Sequence, residues 1–466
     1  MRFHPMTPAI VMFALVAACL LPIAAAAQDD APAPRPNIVF ILADDLRHDT
    51  LGYAGNDIIQ TPHIDALAAR GTRFTNAYVT TPICCTSRAS FFTGQYASQH
   101  GIHQFNQPLS EEQWAQTYPA LLHDAGYRSG LVGKFGVAGH ERYRDSFDYW
   151  FEHQGRYEHE DEDGNPIHLT ALLGNRAVDF LETCDADQPF LLSLHFKAPH
   201  VQDNDPRQFI PDPNLMHLYE GVEIPPPVGH EERRFEDLPD LLSSEDYEGR
   251  RRWRLRFADD AQRQESVRNY YRLITGIDNV VGRVVAQLET QGLLGNTVII
   301  FTSDHGFFLG EWGLAGKWLG YDDSIRIPLV IADPRAPEAL HGQTRDEMVL
   351  NLDLWPTVLN LAGGETPPFS TAGRDLAPLL GGESPRWRGS FWYEHHFEHG
   401  SIPQSDGIVG GRYKYLRYYN ADPVVEQLFD READPLEVNN LVDDPGSAEL
   451  LERVRRRYFL EKHPIE

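Results

Sequence analysis

Two long runs of apolar residues stand out in the hydrophobic pattern of the chain, at residues 37–43 and 297–302. Apolar runs without polar alternation are typical of strands buried on both faces of a parallel sheet. The first run ends in Asp44 and Asp45, and Asp304 follows soon after the second. Because open α/β sheets bind ligands at the carboxyl ends of their strands, this pattern predicts acidic side chains from two strands at one site.

The hydrophobic pattern is different in the residues that precede the second run. Apolar residues recur there at steps of four and three, which predicts an amphipathic helix leading into the strand. These residues are Tyr270, Ile274, Ile277, Val281, Val284 and Leu288. Residues 202–260 are rich in proline and in mixed charge, which indicates a surface insertion over the mouth of a ligand site. From about residue 383, aromatic residues and short runs bounded by turns predict a smaller antiparallel sheet, followed by a helix from Ala448 to Leu460.

The amino terminus has the pattern of a secretory signal. Arg2 precedes an apolar run and a group of alanines, which predicts a signal peptide over residues 1–27 with cleavage near Ala27. A lipoprotein processing box that ends at Cys19 is the alternative, although the apolar residues 20–27 would be an unusual start for a mature lipoprotein. No later segment is apolar for long enough to span a bilayer. We therefore expect an exported protein, periplasmic or secreted, without a transmembrane segment in its mature form.

Composition narrows the classes of function. With 466 residues, of which 42% are hydrophobic, the chain can bury a large core, and we expect one large domain and a smaller one. A net charge of −27 argues against nucleic acid as a partner, so an anionic substrate would need a local cationic pocket. Once Cys19 is removed, the remaining cysteines are too few to form a disulfide scaffold.

A candidate for chemistry lies between Cys84 and Gly94, where a thiol precedes Arg88 by four residues and a glycine closes a short predicted helix. A helix amino terminus presents free N–H groups and partial positive charge to an anion, and arginine adds a planar fork of donors. The alternative is that the neighbouring Cys84 and Cys85 form a disulfide or are buried as small apolar residues.

The carboxylates at the two strand ends indicate a metal site. Asp44, Asp45 and Asp304 offer hard oxygen ligands of the kind that Ca²⁺ and Mg²⁺ prefer, and such an ion could bind an oxyanion and polarise a nucleophile. Each aspartate taken alone could instead cap a helix or close a turn. Their occurrence together at two strand ends favours the metal.

The segment Cys84-Cys85-Thr86-Ser87-Arg88, with Thr93-Gly94 after it, resembles the signature of the sulfatase family. The resemblance implies an alkaline phosphatase-like α/β fold, with a large, mixed, mostly parallel sheet, helices on both faces and a smaller carboxyl-terminal antiparallel sheet. It implies a catalytic domain over residues 36–380 and a subdomain over 381–466. It also implies that a maturation enzyme oxidises Cys84 to formylglycine (3-oxoalanine), the nucleophile. Thr86 stands where the family usually carries proline or alanine.

Other segments resemble the family along most of the chain. The resemblance implies that Ca²⁺, with Mg²⁺ as the alternative, is bound by Asp44, Asp45, Asp304, His305 and the residue derived from Cys84. It implies that the sulfate is bound and cleaved with the help of Arg88, Lys134, His200 and Lys317. Gly136 stands where the family commonly has a histidine, and His140 is a candidate replacement.

These features predict an exported sulfatase that acts on carbohydrates. The segments at residues 196–203, 402–403 and 412–415 look most like bacterial sulfatases of polysaccharides, which implies sulfated saccharides from ulvan or glycosaminoglycans as substrates. Two alternatives are a phosphate or phosphonate ester hydrolase on the same fold and an inactive, exported carbohydrate-binding homologue. We expect the histidine-rich run at residues 395–399 to line the substrate mouth or to face solvent.

Overall fold

The computed structural model describes residues 1–2, 34–364 and 371–462. The strands of these residues are β1 Asn37–Asp44, β2 Thr72–Tyr78, β3 Arg128–Gly133, β4 Tyr149–Glu152, β5 Glu158–Glu160, β6 Pro166–His168, β7 Phe190–Pro199, β8 Thr297–Ser303, β9 Phe308–Leu309, β10 Ala315–Gly316, β11 Arg326–Ala332, β12 Thr344–Arg345, β13 Val349–Leu350, β14 Ser390–His395, β15 Ser405–Gly410, β16 Tyr413–Tyr418 and β17 Val425–Asp430. The α-helices are α1 Pro62–Arg70, α2 Cys84–Thr93, α3 Ala97–His100, α4 Glu111–Trp114, α5 Tyr118–Asp124, α6 Leu169–Glu182, α7 Glu248–Arg256, α8 Asp260–Thr290, α9 Asp322–Ile325, α10 Leu354–Leu361, α11 Ala377–Leu380 and α12 Ala448–Lys462.

The main sheet has the strand order β12-β2-β11-β8-β1-β7-β3-β4, and β13 pairs with β2 beside it. Strand β11 runs antiparallel to both of its neighbours, β2 and β8. The other pairs are parallel. The prediction of a large, mixed, mostly parallel sheet is therefore confirmed.

Strand β1 lies at the centre of this sheet and is buried on both faces. Ile38 and Phe40 pack into the core that includes side chains of α2, α5 and α10. Val39 and Ile41 pack into the core on the other side, beneath α1, α6 and α8. Because alternate residues of a strand point to opposite faces, the uninterrupted apolar run fills both cores. Helices on both faces were predicted, and so was α8, which begins ten residues before Tyr270.

The carboxyl-terminal residues form a four-stranded antiparallel sheet in the order β14-β15-β16-β17, as predicted. Helix α12 covers it through Leu451 and Tyr458. Tyr393 and Leu416 of this sheet join the core that also packs against the main sheet. The chain from Arg35 onward is one compact unit, and the division after residue 380 stays a prediction.

Residues 202–259 form neither a strand nor a separate core within the described structure. They run over the surface with short 3₁₀ turns and helix α7, and they bury a few apolar side chains such as Phe209 and Leu242. This agrees with the predicted surface insertion.

The predicted signal peptide and the processing box at Cys19 fall almost wholly outside the described residues. Among the helices that are described, none has the length and apolar character needed to cross a membrane.

Candidate active site

The register of the main sheet brings four strand ends together. Ala43 of β1 pairs with Ser303 of β8, so Asp304 comes beside Asp44, and its N–H donates to the Ala43 carbonyl at 3.0 Å. On the other side of β1, Asp44 pairs with Pro199 of β7. The residue after each strand therefore enters the same space, as expected for parallel strands.

The same register places His200 and Lys134. His200 follows β7, and its Nε2 lies 3.6 Å from Asp45 Oδ2. Gly133 of β3 pairs with His195 of β7, and the next residue, Lys134, forms an ion pair with Asp44. Lys134 also donates its backbone N–H to the His195 carbonyl at 2.8 Å.

Helix α2 contributes the thiol and the arginine. It begins at Cys84, directly after the extended Ile83, and ends before Gly94, whose φ of 66° lets its N–H reach the Ser90 carbonyl. The Cys84 Sγ lies 3.3 Å from Asp44 Oδ1 and 3.3 Å from His305 Nε2. One turn later, Arg88 donates from Nε to Asp304 Oδ2 at 2.9 Å. Residues four apart share a helix face, so one short helix delivers both groups.

Lys317, directly after the short strand β10, completes the group. Its Nζ donates to Asp45 Oδ1 at 2.7 Å and lies 3.7 Å from the Cys84 Sγ. The structure thus brings together all the site residues assigned from the sequence. Their roles in catalysis stay predictions.

The arrangement of the acidic residues fits a divalent cation. One ligand atom each from Asp44, Cys84, Asp304 and His305 lies within 4.8 Å of the others. Asp45 Oδ2 is buried without a hydrogen-bond partner. Asp45 has a φ of 70°, a left-handed conformation that costs a non-glycine residue about 1–3 kcal/mol and is found most often at functional sites. Carboxylate oxygens with a vacant lone pair are suitable ligands for Ca²⁺ or Mg²⁺.

Opposite charges hold the site ionised. Burial alone would raise the pKa of Asp44, but Lys134, His200 and Arg88 outweigh it and hold that pKa well below its usual value. Burial would likewise lower the pKa of Lys317, but Asp45 raises it above the usual value. Against the opposing effect of burial, the pKa of Lys134 is likewise raised by Asp44, and that of Asp45 is lowered by Lys317, so both partners of each pair are charged at neutral pH.

The thiol is affected in the opposite way. Burial, followed by the charge of Asp44, raises the pKa of Cys84 to about 12. An unmodified Cys84 is therefore a neutral thiol at neutral pH and a weak nucleophile.

Comparison with known proteins agrees with this geometry. The model of the sulfatase family matches residues 36–364. The chain belongs to the sulfatase family. A second model, for the carboxyl-terminal part of N-sulphoglucosamine sulphohydrolase, matches residues 310–463. The protein is thus an enzyme, a sulfuric ester hydrolase with an alkaline phosphatase-like fold.

Individual relatives align with nearly the whole of this chain. The chain is 30% identical to an N-acetylglucosamine-6-O-sulfatase of Bacteroides thetaiotaomicron over 94% of its own length and 90% of the relative. A solved structure in complex with its substrate, D-glucosamine-2-N,6-O-disulfate, is similar with a TM-score of 0.76 and 27% identity, covering 91% of this chain and 97% of that one. A phosphonate monoester hydrolase from Silicibacter pomeroyi shares the fold, with a TM-score of 0.73 and 24% identity over 92% of this chain and 95% of its own.

A pocket of about 560 Å³ opens onto the candidate site residues of the sulfatase. Cys84, Lys134, His200 and Lys317 line its inner end. The insertion at residues 202–259 contributes to the outer wall, in agreement with its predicted place at the mouth. The insertion residues at the wall are Gln202, Asp203, Glu248 and Arg252.

Several wall residues could not be found from the sequence. Lys197 and Arg156 line the pocket together with the aromatic side chains of Phe105, Trp318 and Phe397. Lys197 stands three residues before His200, inside the segment 196–203 that resembles polysaccharide sulfatases, but no sequence pattern assigned it to the pocket wall. Arg156 lies in a loop without a motif.

Gly136 lines the pocket where many sulfatases have a histidine. A Cβ built on Gly136 would lie 2.4 Å from Arg88 Cδ, and its φ of 82° disfavours any other residue. His140 does not replace the missing side chain, because it stacks on Trp150 and faces Glu152 at 4.0 Å, away from the described pocket wall. The space that the histidine would need is filled by Arg88.

Cys85 and the histidine-rich run at residues 395–399 lie in different surroundings. Cys85 is a buried free thiol, so the disulfide alternative is wrong. Its Sγ lies 3.8 Å from Thr86 Oγ1. His399 lines the pocket, as expected for the histidine-rich run, whereas His395 is fully buried and neither lines the described pocket nor faces solvent.

Proposed function

We propose that this sulfatase is exported and removes sulfate from carbohydrates, in particular from oligosaccharides of sulfated polysaccharides such as ulvan or glycosaminoglycans. The observation that carries the proposal is the position of Cys84. Its sulfur lies 3.3 Å from both Asp44 and His305, with Lys317 at 3.7 Å. A nucleophile derived from this residue is thus surrounded by metal ligands and by cations suited to sulfate.

The carbohydrate substrate is supported by the relatives and by the pocket. An N-acetylglucosamine-6-O-sulfatase aligns along most of the chain, and the substrate in the similar solved structure is a sulfated amino sugar. Phe105, Trp318 and Phe397 offer aromatic surfaces in the pocket. Flat aromatic surfaces suit the apolar faces of sugar rings.

The metal would be held by Asp44, Asp45, Asp304, His305 and the residue derived from Cys84, with Ca²⁺ as the expected ion and Mg²⁺ as the alternative. When bound, a divalent ion supplies positive charge that stabilises sulfuryl oxygens and acidifies a bound hydroxyl. The oxygen-rich set of ligands fits such an ion, and so does Asp45 Oδ2, which is buried without a hydrogen-bond partner.

The residues of the chain divide the remaining work. As an aldehyde hydrate, formylglycine at position 84 offers one hydroxyl whose oxygen attacks sulfur while the S–O bond to the leaving alcohol breaks. The second hydroxyl then loses its proton, the aldehyde re-forms, and the C–O bond to the sulfate breaks, so that water can hydrate the aldehyde again. Arg88, one turn along α2, helps to polarise this residue, and Lys134 and Lys317 neutralise the sulfuryl oxygens. A proton on His200 Nε2 or on Lys317 Nζ passes to the leaving alcohol, which is general-acid catalysis.

Mass analysis of the peptide from Phe74 to Arg88 tests the nucleophile. In protein made with a competent maturation enzyme, we expect formylglycine at position 84 and a free thiol at Cys85. Thr86 in the maturation motif makes the extent of conversion a useful second readout. Full activity from protein with an unmodified Cys84 would overturn the mechanism.

A substrate panel tests the function itself. We expect sulfate release from sulfated oligosaccharides and slower reaction with a phosphonate monoester. The fold shared with a phosphonate monoester hydrolase makes that reaction the second candidate, and its dominance in the panel would replace the sulfatase proposal. Protein that carries formylglycine but releases nothing from any ester would instead be an inactive binding homologue.

A further inference from the structure

The cations that line the pocket differ in the charges around them. The two lysines of the reacting centre are paired with Asp44 and Asp45. Arg252 of α7 is paired with Asp203 at 3.0 Å and with Glu248 at 2.6 Å. Asp203 and Glu248 are the carboxylates of the described pocket wall, so this arginine already has its counter-charges.

Lys197 and Arg156 lack such partners. Neither side chain forms an ion pair with any residue that the structure describes, although both line the pocket. The Lys197 ammonium donates to the carbonyl of Gly155, the residue before Arg156, and lies 4.8 Å from the centre of the Tyr157 ring. The loop that carries Arg156 is thus tied to the strand that carries Lys197.

An unpaired lysine in this position is costly. Lys197 is only 8% exposed, and burial, followed by the charge of Lys134, lowers its pKa to about 8. An ammonium group has three donors, of which the Gly155 carbonyl uses one. Arg156 is exposed, and an anion in the pocket would offer acceptors both to its guanidinium group and to the remaining donors of Lys197.

We infer that Lys197 and Arg156 form a subsite for a second anionic group of the saccharide, a sulfate or a carboxylate, beside the sulfate ester that is hydrolysed. The inference rests on the proposed function and adds a selectivity to it: substrates with two anionic groups are preferred over those with one. Trp318, whose φ of 82° fixes an uncommon backbone conformation directly after Lys317, supplies an apolar surface in the same pocket.

A binding experiment separates this subsite from the chemistry. The full chain with Cys84→Ala cannot turn over, and its affinity is measured by calorimetry for three probes. These are the best monosulfated saccharide from the substrate panel, the same sugar with a second sulfate, and the same sugar linked to a uronate. We expect the doubly charged probes to bind at least tenfold more tightly. Whichever of the two binds more tightly identifies the second group as sulfate or carboxylate.

Variants then assign the preference to the two residues. Lys197→Met and Arg156→Gln should each reduce the ratio of kcat/KM for the doubly charged and the monosulfated substrate by about tenfold. Lys197→Arg, which keeps the charge, should retain more of that ratio. Arg144→Gln removes an exposed arginine outside the pocket wall and should leave the ratio unchanged.

Two results would overturn the inference. One is equal affinity for all three probes, and the other is an equal loss on both substrates in the Lys197 and Arg156 variants. A failure of the proposed function is distinguishable, because then no sulfated saccharide in the panel loses sulfate. If a substrate is found and the second charge adds nothing, only the subsite is wrong.

Discussion

The inner end of the pocket and its outer wall are built in different ways. At the inner end, the groups come from the ends of β1, β3, β7 and β8, from the first turns of α2 and, for Lys317, from the residue after β10. Their lysines are paired with buried aspartates. The outer wall comes from surface loops, from the insertion and from Lys197 near the end of β7, and neither Lys197 nor Arg156 forms an ion pair with a residue that the structure describes.

This difference suits the inner end to the chemical reaction and the outer wall to the selection of substrate. Sheet register holds the inner groups within hydrogen-bond distance of one another before any ligand arrives, which is what preorganised electrostatic catalysis requires. Loops can change without disturbing the sheet, and binding residues are accordingly common on them. We therefore expect inner substitutions to abolish turnover and outer ones to change which saccharide is preferred.

The largest effect should come from the nucleophile. Cys84→Ala removes the proposed precursor of formylglycine, and kcat should fall on the order of a thousandfold or more without a loss of folding. Cys85→Ala is the matched control, because its thiol contacts only Thr86 among the described polar side chains and should retain most activity. Steady-state kinetics with circular dichroism check the pair, and comparable losses in both variants would contradict the assignment.

Removal of the proposed metal ligands should have the next largest effect. Asp44→Asn, Asp45→Asn and Asp304→Asn should each lower metal content and reduce kcat/KM at least about a hundredfold, because a neutral amide is a poorer ligand. Elemental analysis and kinetics measure both effects. Asp57→Asn, at an exposed position outside the cluster, should change neither.

Chelation tests the same site without mutation. Treatment with a chelator should inactivate the enzyme, and Ca²⁺ should restore the rate. Normal turnover by enzyme that elemental analysis shows to be free of metal would remove the metal from the mechanism.

A smaller effect is expected where an inner residue has no side chain. Gly136→Ala forces a Cβ to within 2.4 Å of Arg88 Cδ, so the arginine must move, and kcat/KM should fall about tenfold. Gly126→Ala is a matched control, since Gly126 has a φ of 84° but nothing within 4 Å of its Cβ position. Both variants should share a loss of about 1 kcal/mol in stability from the positive φ, and only the first should lose activity.

If both glycine variants kept full activity, the close approach of Arg88 would have no catalytic importance. Thermal unfolding of the two proteins provides the comparison of stability. A fall in activity for Gly126→Ala as large as that for Gly136→Ala would show a general loss of folding instead.

The elements that form the inner end could be predicted from the sequence better than the outer wall. Strands β1 and β8 were predicted because each buried strand is one local apolar run, and α2 and α8 because their ends or periodicity are local. The antiparallel direction of β11 was not predictable, since an apolar run does not encode direction. The sequence showed that a histidine is absent at Gly136, but only the structure shows that Arg88 fills its space.

The outer wall was the least predictable part for a physical reason. Loop conformation has no periodic signal in the sequence. Lys197 contacts the loop before Arg156 through one hydrogen bond to the Gly155 carbonyl, and no sequence pattern indicates such a contact. The insertion could be recognised by composition and placed near the mouth. Which of its side chains would reach the pocket could not be.

The smallest expected effect concerns the surface beyond the wall. A net charge of −27 should repel a long sulfated polymer more than a short oligosaccharide, because more of the polymer's charge lies against acidic surface. At low salt we expect kcat/KM per sulfate to be a few-fold higher for the oligosaccharide, and the gap should narrow as the Debye length falls from about 30 Å at 0.01 M to about 8 Å at 0.15 M. Rates for both substrates across this range of salt measure it. A preference for the polymer at low salt would mean that local cations such as Arg156 dominate over the net charge. The cationic region that attracts substrate would then extend beyond the pocket wall onto the surface around its mouth.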